Sequence, residues 1–223
     1  MNNFKQHLKA EGEKLKNMSF GEKVSYIIEY YKLYFLTIAL IAFVVISLVV
    51  SIKQNNFNTY LSIYLIDNPI SNEYEDYILK DYATHCGIDG VNDKIVLDST
   101  LTLEIEQYGE YDTQSLYKLM ALIGSETVDT IISTKDITSF CAASEIYYDL
   151  NELLDESFLS KYSDLLYYVT LEDGSQIAAG IDISGLDIVE RCNIILDDPV
   201  ICVAANTTRK DVCIDFIKYI FNE

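Results

Sequence analysis

The chain has 223 residues, half of them apolar, with only two prolines and a formal net charge of −19. That composition excludes an intrinsically disordered chain, and the acidic excess with no local basic patch excludes a nucleic-acid binder. The five cysteines, Cys86, Cys141, Cys192, Cys202 and Cys213, show no CxxC or CxxxC spacing, so zinc is unsupported and no cofactor is expected.

Residues 2–18 place Phe4, Leu8, Leu15 and Met18 at roughly helical spacing among Lys5, Lys9, Lys14 and Lys16, which predicts a basic amphipathic helix near a membrane surface. Ser19-Phe20-Gly21-Glu22 has the form of a capping box and opens a second helix, with Val24, Ile27, Ile28 and Tyr31 as its apolar stripe. Tyr34 to Ile52 then runs without a charge, a proline or a glycine. A bilayer core needs roughly 20 apolar residues in a helix, so this stretch reads as a transmembrane span. Leu48-Val49-Val50-Ser51 offers no small-x-small cleavage site, which favours an uncleaved anchor over a signal peptide.

Orientation follows from lysine placement. Residues 1–33 hold six lysines and four glutamates, leaving 10 of the 16 cationic and 31 of the 35 acidic residues after the span. The basic end is therefore expected inside and the acidic end outside, with Tyr30, Tyr31 and Tyr34 beside Lys32 at the inner boundary. The expected organisation is a cytoplasmic segment at 1–33, a span at 34–52, a linker at 53–58 and an extracytoplasmic domain at 59–223. All five cysteines fall in that domain. Their odd number leaves room for one or two disulfides, though Cys141 and Cys202 sit in apolar runs that suit small buried side chains.

Beyond the linker, Thr59 to Ile66 predicts a first strand, broken by Asp67-Asn68-Pro69, and Ser71 caps a helix expected over 72–86. Lys94 to Leu103 reads as a second strand. Asp112-Thr113-Gln114-Ser115 opens a helix with Leu116, Leu119, Met120 and Ile123 as its buried stripe, and Val128 to Ser133 is a short apolar strand. Strand alternating with helix is the pattern of an α/β sheet with helices on its faces. Helix is expected again over 136–146 and up to about Tyr162. Asp173-Gly174 signals a hairpin between Leu165 to Leu171 and Gln176 to Ile183. Asn193 to Leu196 and Val200 to Ala205 are further expected strands, and Thr208 with Asp211 is the expected cap of a last helix.

Three stretches resemble extracellular solute-binding proteins of the type 2 periplasmic-binding fold: VDTIISTKDITSFCAASEIYYDLNELL, GSQIAAGIDIS and VICVAANTTRKDVCIDFIKYIF. The resemblance rests on Asp129-Thr130-Ile131-Ile132, on Asp149-Leu150, and on Asn206 ahead of Phe216-Ile217-Lys218-Tyr219-Ile220, and covers most of 59–223. The N-terminal segment is also similar to those of single-span membrane proteins of Gram-positive anaerobes. The resemblance implies a single α/β lobe with a mixed, mostly parallel sheet, corresponding to half of a type 2 periplasmic-binding protein. After Gly180-Ile181-Asp182-Ile183-Ser184, where that family crosses to a second lobe, only Gly185 to Cys192 intervene before the next expected strand. A half-clamp cannot bury 70–90% of a small ligand's surface.

No D-x-D-x-D-G, GxxxxGK[ST], GxSxG or HExxH pattern is present. The two histidines are His7, before the span, and His85, near a helix end where it suits the helix dipole, so an enzyme is not expected. If a ligand binds, the carboxyl ends of the strands are the place for it. That selects Asp67, Asn68, Ser99, Thr100, Ser133, Thr134 and Asn206. The expected role is a membrane-anchored interaction or degenerate binding module, with the bilayer, another cell-surface protein or a small solute as partners. The alternatives are a solute receptor of an ABC-type transport system and an extracytoplasmic sensor.

Overall fold

The computed structural model describes residues 18–55, 57–103 and 113–223, with side chains at 26, 27, 30 and 52–55 left aside. The amphipathic helix expected over residues 2–18 and the cap expected at Asp112 therefore lie outside the described residues, Met18 excepted. The chain divides into two compact units, one ending at Asn56 and the other Phe57–Glu223.

The described residues of the first unit form one helix, α1, Phe20–Asn55. The capping box forms as its residues dictate. The Ser19 amide donates to Glu22 Oε2 at 2.8 Å and the Glu22 amide to Ser19 Oγ at 3.4 Å, so two amides that have no partner within the helix are satisfied. Thr37 returns its hydroxyl to the carbonyl of Leu33 at 2.7 Å, which lets a polar side chain sit in an apolar run. Within α1, Tyr31–Ser51 is long and apolar enough to cross a membrane, three residues earlier at its start than the sequence reading placed it.

The second unit is a six-stranded mixed sheet in the order β2-β1-β3-β6-β5-β4. Its strands are β1 Asn58–Leu65, β2 Asp93–Asp98, β3 Thr130–Thr134, β4 Leu166–Thr170, β5 Gln176–Asp182 and β6 Pro199–Val203. β1 pairs in parallel with β2 and β3, while β3–β6, β6–β5 and β5–β4 are antiparallel. Four strands thus run one way, and β6 and β4 run against them. The hairpin turns where expected, with Gly174 at φ 83 taking the left-handed position that Asp173-Gly174 signals.

Both sheet faces are covered, so the strands read as nearly continuous apolar runs. Leu61, Ile63, Leu65, Ile132, Ile201 and Val203 face one core, closed by Tyr82 of a π-helical turn, Tyr77–Tyr82, and by Phe216, Ile217 and Ile220 of α8, Lys210–Ile220. The π-turn and the α-helical residues Ala83–His85 that continue it together form α2. Tyr64, Ile66, Ile131, Val200 and Cys202 face the other core, closed by α3, Thr113–Gly124, and α4, Lys135–Ala142. Shorter helices α5, Leu150–Leu153, α6, Glu156–Lys161, and α7, Asp187–Arg191, complete the first face. Each large side chain so buried contributes about 1.5–3 kcal/mol.

Four expectations give way to local chemistry. The helix expected over 72–86 begins only at Tyr77, because Ser71 accepts through its backbone carbonyl in a turn with Tyr74. The second strand stops at Asp98, whose carboxylate takes the amide and hydroxyl of Thr100 and turns the chain away. Asn193 to Leu196 is a loop rather than a strand, with Asn193 at φ 50 closing α7. Finally, α8 starts after Arg209 instead of at Thr208, since the Thr207 hydroxyl accepts from the Arg209 amide at 3.0 Å.

One buried carboxylate ties the sheet together. Asp129 is fully buried just before β3 and accepts from the Ser62 amide at 2.7 Å, Thr207 Oγ1 at 2.5 Å and Arg209 Nε at 2.8 Å. Replacing Asp129 by alanine leaves Arg209 and two other donors without their acceptor, and is expected to lower the stability of residues 57–223 by about 3–5 kcal/mol. Urea unfolding measures it, and a loss under ~1 kcal/mol would remove Asp129 from this role. At Gly180 an added methyl would meet Cys202 Sγ at 2.8 Å and the Ile201 carbonyl oxygen at 3.0 Å. Gly180→Ala should accordingly cost about 1–3 kcal/mol in the same measurement.

Candidate functional site

The parallel strands β1, β2, β3 and β5 all end at one edge of the sheet, where β6 begins. Six of the seven nominated residues gather there, and each is engaged in holding loops. Asp67, at φ 59, accepts from the Leu103 amide at 2.7 Å and donates its own amide to the Leu101 carbonyl at 3.0 Å. Ser99 Oγ accepts from the Ile70 amide at 3.1 Å, and Thr100 is held by Asp98. Asn68 is fully buried. Its amide nitrogen donates to the Asn193 carbonyl at 3.3 Å and its oxygen accepts from the Ile195 amide at 2.5 Å, so β1 positions the loop after α7. Ser133 is buried against the Thr138 hydroxyl at 2.9 Å, and Thr134 caps α4 through the Ile137 amide at 3.3 Å.

Asn206 goes elsewhere. It follows the carboxyl end of β6, and β6 is antiparallel to β3, so Asn206 lies at the opposite edge beside Ile123, whose carbonyl it bonds. The switch-point rule applied to the wrong strand direction put it in the set.

The edge also carries residues the sequence reading passed over. Lys135, directly after Thr134, donates to Asp182 Oδ2 at 2.5 Å, joining the ends of β3 and β5. A pocket of about 190 Å³ is lined by Thr134, Lys135, Asp136, Asp197 and Asp198. A larger cleft of about 410 Å³ lies along Ser184, Leu186, Asp187, Glu190, Asn193 and Ile194. The signal for Lys135 was its place one residue past a strand end in a segment with few cations.

Burial pushes the Asp182 carboxyl up, but Lys135 and the amide and hydroxyl of Ser184 outweigh it and hold its pKa below the ordinary value. The hydrogen bond to Asp182 in turn raises Lys135. The Asp182 contribution is present above its unfolded pKa and lost as pH falls through the lowered folded value. The Lys135 contribution is present below its unfolded pKa and lost as pH rises through the raised one. With ordinary values of about 3.9 and 10.4, the stability gap between the native chain and Lys135→Met should be level from roughly pH 5 to 10 and close outside that window. Thermal melts across pH check this, and a gap that varies within the window would refute it.

A second cluster surrounds Asp215 on α8. Tyr82 donates to its Oδ2 at 2.9 Å, Cys86 Sγ lies 3.8 Å from the same oxygen, and His85 Nε2 lies 3.7 Å from Oδ1. The rings of Tyr82 and His85 stack at 5.9 Å between centroids, and Tyr219 packs tilted against both at 5.0 and 4.8 Å. A thiol nucleophile needs a base against its sulfur, whereas here the carboxylate stands between thiol and imidazole. Burial raises the Cys86 thiol, with Asp215 adding to it against the opposing hydrogen bonds of Tyr82 and Tyr60, so the thiolate is disfavoured. Among the described residues no group of three or more acidic, histidine or cysteine side chains is arranged to hold a metal.

All five cysteines are free. Burial pushes Cys141 up to about 11 and Cys192, Cys202 and Cys213 up to about 12. Native protein at pH 8 is expected to yield at most one thiol, Cys86, to a water-soluble alkylating reagent, and five after denaturation. Mass spectrometry counts them, and fewer than five on unfolding without reductant would reveal a disulfide.

The fold defines the class: a mixed α/β domain that follows, in sequence, one apolar helix. No known protein-family model matches the chain. No curated protein matches it either. Among solved structures, it is similar to a protein assigned as an oligosaccharide periplasmic-binding protein from Synechococcus sp. MITs9220, at 16% identity and a TM-score of 0.33. The match covers 48% of this chain and only 23% of that one.

Proposed function

We propose that this is a single-pass membrane protein whose α/β domain stands outside the cell as an interaction module or degenerate binding lobe, without catalytic activity. The observation that carries this reading is the state of the sheet's carboxyl edge. Asp67, Asn68, Ser99, Ser133 and Thr134 all bond the protein's own backbone or core, so few polar groups converge on a ligand. A small-molecule site needs such convergence within a concave, largely apolar enclosure. The clefts here are lined mainly by polar and acidic side chains. The extracytoplasmic orientation rests on the lysine bias of residues 1–33.

A second reading, a solute receptor of a transport system, draws on the 410 Å³ cleft, which is large enough for a small ligand. Melting of residues 57–223 against sugars, amino acids, short peptides and divalent cations separates the two. A ligand at a hundredfold its Kd adds about 2.7 kcal/mol, which for a domain of this size is a Tm rise of roughly 5–10 °C. The interaction module predicts no saturable shift with any of them. A saturable shift abolished by Lys135→Met or by a substitution at Glu190 would establish the receptor instead. Orientation is checked separately on intact cells. An antibody should reach a C-terminal tag directly and an N-terminal tag only after permeabilisation.

A further inference from the structure

The two edge strands of the sheet differ in how they are guarded. β2 carries Asp93, Lys94 and Asp98, charges of the kind that keep an edge strand from pairing. β4, at the other end, reads LYYVT, with neither charge nor proline. The Leu166 amide is taken by the Ser163 carbonyl, but among the described residues no backbone group of 167–170 bonds anything beyond β5. Pairing with β5 is irregular between Tyr167 and Tyr168, yet the extra residue is Ala179 of β5, so β4 itself stays regular. Side-chain bonds hold it in place, from Tyr167 to Ser139 at 2.5 Å and from Tyr168 to Asn151 at 3.3 Å, and Val169 is buried. β4 is therefore extended before any partner arrives.

Only another extended backbone satisfies a row of strand amides and carbonyls in series. We propose that β4 takes up such a segment from another protein, one with an uncharged, β-branched centre flanked by lysine or arginine. The inference rests on the interaction-module reading above and names its surface. The basic flanks follow from charge. Asp164 and Glu172 are exposed, two residues outside either end of β4, and among the described residues neither is in an ion pair. A second copy fits less well, because antiparallel pairing of β4 with β4 about Tyr168 sets Asp164 of each copy opposite Glu172 of the other.

The probe is a cyclic β-hairpin whose outer strand reads KKTVTVTKK, because ordering a short linear peptide costs most of its affinity. Fluorescence anisotropy follows its binding to the full chain in detergent micelles. Saturable binding is expected, weakened about tenfold or more by glutamates in place of the lysines and lost when the outer-strand amides are N-methylated. The double substitution Asp164→Lys and Glu172→Lys, on two exposed side chains, should reverse the preference in favour of the glutamate-flanked hairpin, which a fault in folding could not do. Absence of saturable binding overturns the proposal, as does binding indifferent to N-methylation or to the double substitution. So does a dimer of the chain cross-linked through cysteine placed at Tyr168, which would assign the edge to a second copy. These outcomes leave the interaction-module reading standing. That reading fails separately if a small solute shifts the melt saturably in chains that carry the double substitution.

Discussion

The domain depends on one buried ionic contact, between Asp129 and Arg209. Asp129 sits at the entrance to β3, the strand on which the parallel and antiparallel halves of the sheet meet. Its carboxylate accepts from β1 through Ser62 and from the β6–α8 connection through Thr207 and Arg209. A buried carboxylate is tolerated only when its lone pairs are filled, and here three donors from two chain segments fill them. The Asp129 backbone joins in, donating to Ser62 and accepting from Ala204. Segments far apart in sequence are thus fixed around a single residue, and β6 is held antiparallel at the centre of the sheet.

This constraint explains which parts of the fold were legible in the sequence. Strands buried on both faces, such as β3 and β6, announce themselves as short apolar runs, and α3 by the spacing of Leu119 and Ile123. The hairpin was legible because only a left-handed residue can close it, and Gly174 supplies one. Strand direction was not, since antiparallel β6 is chosen by tertiary contacts to β3 and β5 and not by anything in VICVAA. Asn206 was misplaced for that reason alone. The loop at Asn193 was also beyond local reading, because its partner, Asn68, is 125 residues away.

The same logic bears on the candidate site. Sequence reasoning nominated short polar residues after strands, which is where ligand-binding residues sit in α/β sheets, but also where loops need anchors. The structure brings six of them to one edge and gives each a structural bond. Lys135 and Asp182, by contrast, hold one another across two strand ends beside a pocket with further carboxylates. A charge pair at the rim of a cleft can exchange partners without disturbing a loop. A buried amide such as Asn68 cannot, because the backbone groups of Asn193 and Ile195 would be left unpaired.

Charge narrows what could meet this surface. The segment after the apolar stretch at 34–52 carries 31 acidic residues against 10 cationic ones, and much of the positive charge is already engaged. Arg209 pairs with Asp129, Arg191 with Asp81, Lys218 with Asp155, Lys161 with Glu223, Lys135 with Asp182 and Lys80 with Asp76. Lys210 lies over the Tyr148 ring at 4.1 Å and Lys94 over that of Phe57 at 4.5 Å. What remains on the outside is an excess of carboxylates. Like charge across an interface is costly and slows encounter, so polyanions are disfavoured and basic or apolar partner surfaces favoured. Exposed charges more than a Debye length apart, about 8 Å at physiological salt, are largely screened, so this field selects partners mainly at close approach. Between the α/β domains of two copies it acts against contact.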